Sequence, residues 1–302
     1  MAEFKNNHYV PQWLIKNFCI ETGNTYYFDK TKPDKPIILR NPDSIFCKNN
    51  LYVRRSRTGE RDVSLETDKF SPIDNDAKVL FCRIIDCARN NRLPNLSPDE
   101  KSLFSNFIYQ QFRRTPDRQN STVPNVDLEQ LVNTELIALQ DQSGAIDAAL
   151  HERIKNQITE LKKPENFARM IHNGKVKALK SRDLLLEQML VKRGFIIART
   201  KNPNCSFVLG SNPILKIHYP NRSSLSDLTV EMWLPISHDI AVCSCGNPTD
   251  EKLTLISLES MRYLNELTFS QSTEIAGTSM KLLESLTKLW VKNLEKNGRL
   301  PD

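Results

Sequence analysis

The sequence predicts an α+β fold: a central helical bundle packed with antiparallel sheet, with strands mainly in the N-terminal and C-terminal parts. Three observations predict it. Residues 24–54 and 194–256 hold short runs rich in aromatic and β-branched residues, bounded by Asn, Pro and Ser, which is the pattern of strands and turns. Residues 64–191 instead repeat apolar residues at intervals of three and four, the period of helices buried on one side. The two kinds of segment come in blocks, whereas a doubly wound sheet would alternate βα units. The expected organisation is an N-terminal helix and small sheet over 1–60, a helical bundle over 61–192, and a meander with C-terminal helices over 193–302. A chain of 302 residues can close these parts into one compact unit or two closely packed lobes.

Taken in order, His8-Tyr9-Val10-Pro11 leads into the first helix, because proline lacks an N–H that the first turn would leave unpaired anyway. Trp13, Leu14 and Phe18 can then face one core. Asn24 to Asp29 reads as a strand, Lys32 to Pro36 as a turn, and Ile37 to Leu39 and Asn50 to Arg54 as two further strands. From Ser64 onward, Ile73, Ala77, Leu80, Phe81, Ile84 and Ala88 mark a one-sided helix that Ser71-Pro72 could divide. Ser97-Pro98-Asp99-Glu100 opens the next helix, with serine as cap, proline in the first turn and a glutamate placed to reach back. Leu103, Phe104, Phe107, Ile108 and Phe112 line its apolar stripe, and it should stop before Thr115-Pro116, since proline disfavours helical geometry in the residue ahead of it. Helices are expected over Glu129 to Gln140, Ala145 to Leu161 and Glu165 to Val191. Short strands near Phe195 to Ala198, Ser206 to Leu209, Ile214 to Ile217, Val230 to Leu234 and Ile240 to Cys243 suggest an antiparallel meander, followed by a last strand near Leu253 to Ile256. Ser260 to Phe269 and Thr273 to Leu294 are expected to be helical again.

Composition narrows the function classes. Hydrophobic content of 39% beside 26% charged residues describes an ordinary water-soluble chain, and no apolar run approaches the roughly eighteen residues of a membrane span. Met1 to Asn7 is polar and lacks a signal peptide's apolar stretch, so a cytoplasmic location is expected. Seven scattered cysteines fit small buried thiols in a reducing compartment, and Cys243-Ser244-Cys245 is too short for a paired zinc knuckle. The net charge of +6 favours acidic partners but is modest for a nucleic-acid module. The charge is nevertheless clustered, in Arg54-Arg55-Ser56-Arg57 with Arg61 and in Arg113-Arg114 with Arg118, each beside aromatic residues. A solvated face is the commoner reading of such a cluster taken alone. No Gly-rich phosphate loop, G-x-S-x-G elbow, H-E-x-x-H or dinucleotide fingerprint is present, and with only 9 glycines no cofactor is expected.

Four blocks carry a family resemblance: His8 to Phe18, Phe107 to Pro116, Phe207 to Ile214 and Trp233 to Asp239. Occurring in this order, they resemble a bacterial family built on a domain of unknown function, here called the HYxP family after its first block. The resemblance covers most of the chain and implies no established activity. Members usually read Thr-Ser-Asp-Asn-Pro where this chain reads Leu209-Gly210-Ser211-Asn212-Pro213, so an acidic residue of the family is Ser211 here. The resemblance to accessory proteins of mobile elements and antiphage loci implies a toxin or defence context.

Within these blocks His8 is the leading catalytic candidate, because an imidazole moves protons near neutral pH; the competing and commoner use is to bond a carbonyl or carboxylate and lock the N-terminal segment. Tyr9 is expected to pack with its hydroxyl satisfied at an edge. Arg113, Arg114 and Arg118 exceed what the helix C-terminus needs, and their planar forks suit phosphate, with Arg114 as the candidate that offsets charge in a reaction. An internal ion-pair network with Asp117, Glu66 or Asp74 is the equal alternative. Gln110 and Gln111 could orient a substrate or water, or simply be exposed on the helix. Ser211 and Asn212 form a turn by composition and are candidate pocket residues. The acids Glu66, Asp68, Asp74 and Asp76 lack a regular nuclease spacing and suit a helix start without any metal, so no metal site is expected. His218 and His238 are lone histidines that a meander could bring together.

Two functions follow. In the first, His8 and the arginines converge on a phosphodiester, so that the protein binds RNA or DNA and cleaves it. In the second, it is a non-catalytic recognition module that holds a nucleic acid or protein and signals to a partner. Convergence of His8 and Arg114 on one cleft separates the two.

Overall fold

The computed structural model describes residues 6–56, 58–122, 163–218 and 224–296, together with residues 152, 153, 156, 159 and 160. The chain has the expected α+β architecture. Strand β1 (Asn6–His8) pairs antiparallel with β4 (Cys47–Asn49), setting His8 opposite Cys47. Pro11 immediately precedes helix α1 (Gln12–Lys16), and its carbonyl accepts the amides of Leu14 and Ile15 at 2.9 and 3.1 Å. Leu14 and Phe18 are fully buried, while Trp13 stacks on Phe81 at 5.6 Å and meets Phe107 at 5.7 Å. These contacts fasten the N-terminal segment to the helical bundle.

Strands β2 (Thr25–Asp29) and β3 (Ile38–Arg40) form where expected. The segment read as a third strand from Asn50 does not. Asn50 adopts a left-handed φ of 55°, and Leu51, Tyr52 and Val53 are buried in succession, which a half-buried strand's alternation does not allow. The strands there are β4 just before the turn and the short hairpin β5 (Arg54–Arg55) with β6 (Arg61–Asp62) just after it. A π-helical segment, Leu65–Phe70, runs directly into α2 (Ser71–Arg89), whose first turn accommodates Pro72.

Helix α3 (Pro98–Arg114) carries the complete capping box, with Ser97 and Glu100 each bonding the other's backbone amide. It ends before Thr115, and α4 (Pro116–Thr122) starts a new direction. The helices expected over Glu129 to Gln140 and Ala145 to Leu161 lie outside the described residues, apart from the few positions of the second named above. The single helix expected over Glu165 to Val191 is two, α5 (Pro164–Lys180) and α6 (Leu184–Val191), because Asp183 caps the second by accepting the Leu186 amide at 3.0 Å.

The remaining strands are β7 (Gly194–Arg199), β8 (Leu209–Gly210), β9 (Leu215–Ile217), β10 (Glu231–Ser237), β11 (Ile240–Cys245) and β12 (Glu251–Leu255). They are followed by α7 (Leu258–Gln271), β13 (Glu274–Gly277) and α8 (Met280–Lys296). One sheet has the order β12-β7-β11-β10-β9. Its pairs are antiparallel as expected of a meander, except that β12 lies parallel to β7. The cause is that β7 is inserted between β11 and β12, so the link after Cys245 must cross the start of β7, where the Phe195 amide bonds the Asp250 carbonyl at 2.8 Å. Gly194 permits the crossing, since a Cβ there would collide with the carbonyls of Asn247 and Asp250.

The second sheet has the order β3-β2-β13-β8 and is antiparallel throughout. Its inner strand β13 lies in a stretch expected to be helical from Thr273. The segment is only four residues long with Ile275 and Ala276 fully buried, too short to display a strand's alternation. A core from Tyr9 to Ala276 joins the N-terminal segment, α2, α3 and the five-stranded sheet. Phe28, Val208, Phe269, Ile275 and Leu283 form a second cluster beneath α8. Among the described residues no helix is long and apolar enough to cross a membrane.

Candidate functional site

His8 ends β1 with its ring half-buried against the 3-10 turn Pro42–Ser44, bonding the backbone of Asp43 and Pro42. Burial holds its pKa below the ordinary value despite the nearby Asp43 carboxylate, so the imidazole is neutral at pH 7. Its Nε2 is buried and has no hydrogen-bond partner among the described residues. The ring closes the N-terminal strand onto the turn that precedes β4.

Arg114 has a different set of neighbours. Its guanidinium is 1% exposed, pairs with Asp74 at 2.9 Å, donates from Nε to Gln111 at 2.7 Å, and lies over the Phe70 ring at 5.2 Å. Gln111 in turn donates to the Tyr9 carbonyl at 2.9 Å, and the Tyr52 hydroxyl donates to the Arg114 carbonyl at 3.1 Å. Glu66, bonded by Asn7 at 3.3 Å, adds a second carboxylate to the field of this one cation. Burial raises the pKa of both Glu66 and Asp74 against the lowering effect of Arg114. Gln110 and Gln111, for which exposure on the helix is one expectation, are both buried; Gln110 donates to Asn106 at 3.3 Å. His8 and Arg114 thus share no side-chain partner among the described residues, and each is committed to an internal contact.

The other blocks meet on β13. The Tyr9 hydroxyl donates to Glu274 at 3.1 Å, and Glu274 also receives the Tyr27 hydroxyl and the Phe46 amide. Phe46 is held at φ 51°, a left-handed conformation that costs a bulky residue about 1–2 kcal/mol. The strain is held by the bonds it permits, since the Phe46 amide meets Glu274 while its carbonyl accepts the Tyr9 amide at 3.0 Å. Ser211 donates its hydroxyl to Asp117, and its oxygen accepts the amides of Thr273 and Glu274 at 3.0 and 3.1 Å. Asp117 also accepts the Thr273 hydroxyl at 2.9 Å, and Asn212 accepts the Thr115 hydroxyl at 3.3 Å. Ser211 is 1% exposed while Asp117 is half-buried and Thr273 exposed, so the cluster is a polar seam with a buried serine that joins α4, β8 and β13. Glu274 escapes sequence reasoning, because its strand does.

An open site lies on the other side of α3. A cavity of about 250 Å³ between α3, α4 and α5 is lined by Tyr109, Phe112, Arg113, Arg118, Lys175 and Leu225, among others, and none of its described lining residues is acidic. The Arg118 guanidinium lies 4.4 Å over the Phe112 ring and Arg113 lies 5.1 Å over Tyr109, so both cations are oriented by aromatic faces. Arg113 also closes α5 by donating to the carbonyls of Ala178 and Ser181, and Lys175 donates to Asn120 at 2.9 Å. Burial lowers the Arg118 pKa, and Lys216 is depressed by burial and by Arg118. Burial first, and then repulsion from Arg113, brings Lys69 down to about 8. Glu187 partly offsets the repulsion on Lys69. Arg113 and Arg118 are legible as a cluster in the sequence; Lys175, more than fifty residues away, is brought beside them only by the packing of α5.

Other candidates do not assemble. His218 and His238 lie beyond opposite ends of β10, since Ile217 pairs with Glu231 and His238 follows Ser237. Among the described residues no group of three or more His, Cys, Asp or Glu is placed to hold a metal ion, and all seven cysteines are free.

The sequence matches the family described as "Protein of unknown function (DUF4238)" over residues 6–276, nearly the whole chain. The chain belongs to the DUF4238 family. The match begins at β1 and ends in β13, so the family region includes His8, the α3 arginines, Ser211-Asn212 and Glu274. No curated protein and no solved structure matches the chain.

Proposed function

We propose that this DUF4238 chain is a recognition module for nucleic acid, and that the pocket between α3, α4 and α5 takes a nucleotide. The single observation that carries the reading is the pocket's composition, three cations and two aromatic rings with no acidic residue among its described lining residues. A guanidinium already seated on a ring is held in place before a ligand arrives, so that stacking a base or meeting a phosphate there costs little further side-chain entropy. Recognition is preferred to cleavage in this reading because His8 bonds the Pro42–Ser44 turn and Arg114 is paired with Asp74, so each is already engaged by an internal contact.

The test is fluorescence anisotropy of labelled single-stranded RNA and DNA at two salt concentrations, with the native chain and with Arg118→Ala. Loss of a stacked, phosphate-facing cation is expected to weaken binding by about 1–2 kcal/mol, roughly five- to thirtyfold. Binding that ignores salt, or an Arg118→Ala variant with native affinity, overturns the assignment. The same samples run on a gel address the catalytic version: cleavage that disappears in His8→Ala would restore His8 as a catalytic residue.

A further inference from the structure

We infer that the pocket is one end of a continuous track for a single-stranded nucleic acid, which follows α5 to the arginine-bearing β5–β6 hairpin. The inference rests on the reading of the pocket as a nucleotide site and adds the form and length of the ligand. Arg169, His172 and Lys175 recur every three residues and so lie along one side of α5. Lys175 lines the pocket described above, whereas Arg169 and His172 line a second, shallower cavity of about 560 Å³ with Asn49, Arg55 and Ser56. Burial and then the charge of Lys48 lower the Lys175 pKa, and the neighbour of Lys48 in β4, Asn49, lines the second cavity. Lys48 and Asn49 are both exposed, so a cation and an amide stand between the two cavities.

The far end is held rigidly. Asn173 accepts the Arg55 amide at 3.0 Å and donates to the Arg55 carbonyl at 2.8 Å, so that the α5 side chain imitates a neighbouring strand. His172 Nε2 meets the Val53 carbonyl at 2.8 Å. These bonds use the hairpin's backbone and leave the Arg55 side chain exposed. Glu165 is the one acidic residue that lines either cavity among the described residues; the hairpin itself carries an exposed Glu60 and, in β6, Asp62, which Lys180 bonds at 2.8 Å.

From Arg169 to Leu179 the helix advances about 15 Å, so that with a cavity at each end the track suits on the order of four nucleotides, the lower range for single-strand grooves. A base can enter the aromatic and guanidinium pocket only if it is unpaired, which selects single strands over duplex.

Binding of oligothymidylate and oligouridylate of about eight nucleotides, and of the corresponding dinucleotides, separates the parts. Arg118→Ala should weaken all of them. The double variant Arg55→Gln, Arg169→Gln should weaken the long oligonucleotides roughly tenfold, reduce their salt slope by about 1.4, and leave the dinucleotides unchanged. Circular dichroism of each variant checks the fold. If the double variant binds the long strands with native affinity and slope while Arg118→Ala does not, the track is wrong and the pocket stands. If Arg118→Ala has no effect, both fail. A duplex bound as tightly as the single strand overturns the single-strand assignment.

Discussion

Replacement of Arg114 by alanine distinguishes a structural guanidinium from a catalytic one. The side chain is 1% exposed and is the cation between Asp74, at 2.9 Å, and the nearby Glu66 carboxylate, while its Nε holds Gln111, which holds the Tyr9 carbonyl. Removing one member of a buried pair strands the other charge, at a cost of about 3–5 kcal/mol. Unfolding entropy near 2.1 cal/mol/K per residue gives about 0.6 kcal/mol/K for a chain of 302 residues, so the expected fall in Tm is about 5–8 °C. Urea and thermal unfolding at pH 7 measure it. The double variant Arg114→Met, Asp74→Leu should recover most of the loss, because it leaves neither of these two charges without its partner. A single variant with native Tm would refute the reasoning and return Arg114 to the list of groups free to act on a ligand.

Three further outcomes follow from neighbouring contacts. Burial raises the Glu66 and Asp74 pKa values, so the folded chain holds these protons more tightly than the unfolded chain, and stability falls as pH rises from the unfolded value of 4.5 for Glu66 through the folded one. Glu66→Gln should therefore raise the neutral-pH Tm and flatten that decline; an unchanged pH slope in melts from acid to neutral would exclude Glu66 as its source. Tyr9→Phe removes a donor from the largely buried Glu274 carboxyl and should cost about 1–3 kcal/mol in urea unfolding, whereas a neutral substitution would mean that Glu274 is satisfied without it. Gly210→Ala places a Cβ against the Ser272 side chain in the seam beside Asn212, and should destabilise by about 1–3 kcal/mol; a native melting curve would show that the seam can give way.

Local chemistry was legible where it acts over a few residues. The Ser97–Glu100 capping box and the stop before Thr115-Pro116 are both present, because caps and proline sterics need nothing beyond the next turn. The same local signals missed β13, where four residues flanked by helices carry too little alternation to register as a strand. They also missed the parallel pairing of β12, which depends on β7 lying between two strands that are neighbours in sequence. The break between α5 and α6 was hidden in a run of apolar spacing that Asp183 interrupts by capping.

For the site, the sequence identified the arginine cluster and the His8 block but left the partner of each undecided, since a cation's role depends on which acid packing brings to it. By itself the sequence determined an α+β chain with a helical middle, a capped α3 and two groups of clustered arginines. Tertiary structure alone decided that Arg114 faces inward to Asp74 while Arg113 and Arg118, one and four residues away, lie on aromatic rings beside Lys175. The physical reason is that helical rotation and the end of α3 send neighbouring side chains to different environments, one desolvated and paired with a carboxylate, the others laid on aromatic rings at the edge of a cavity.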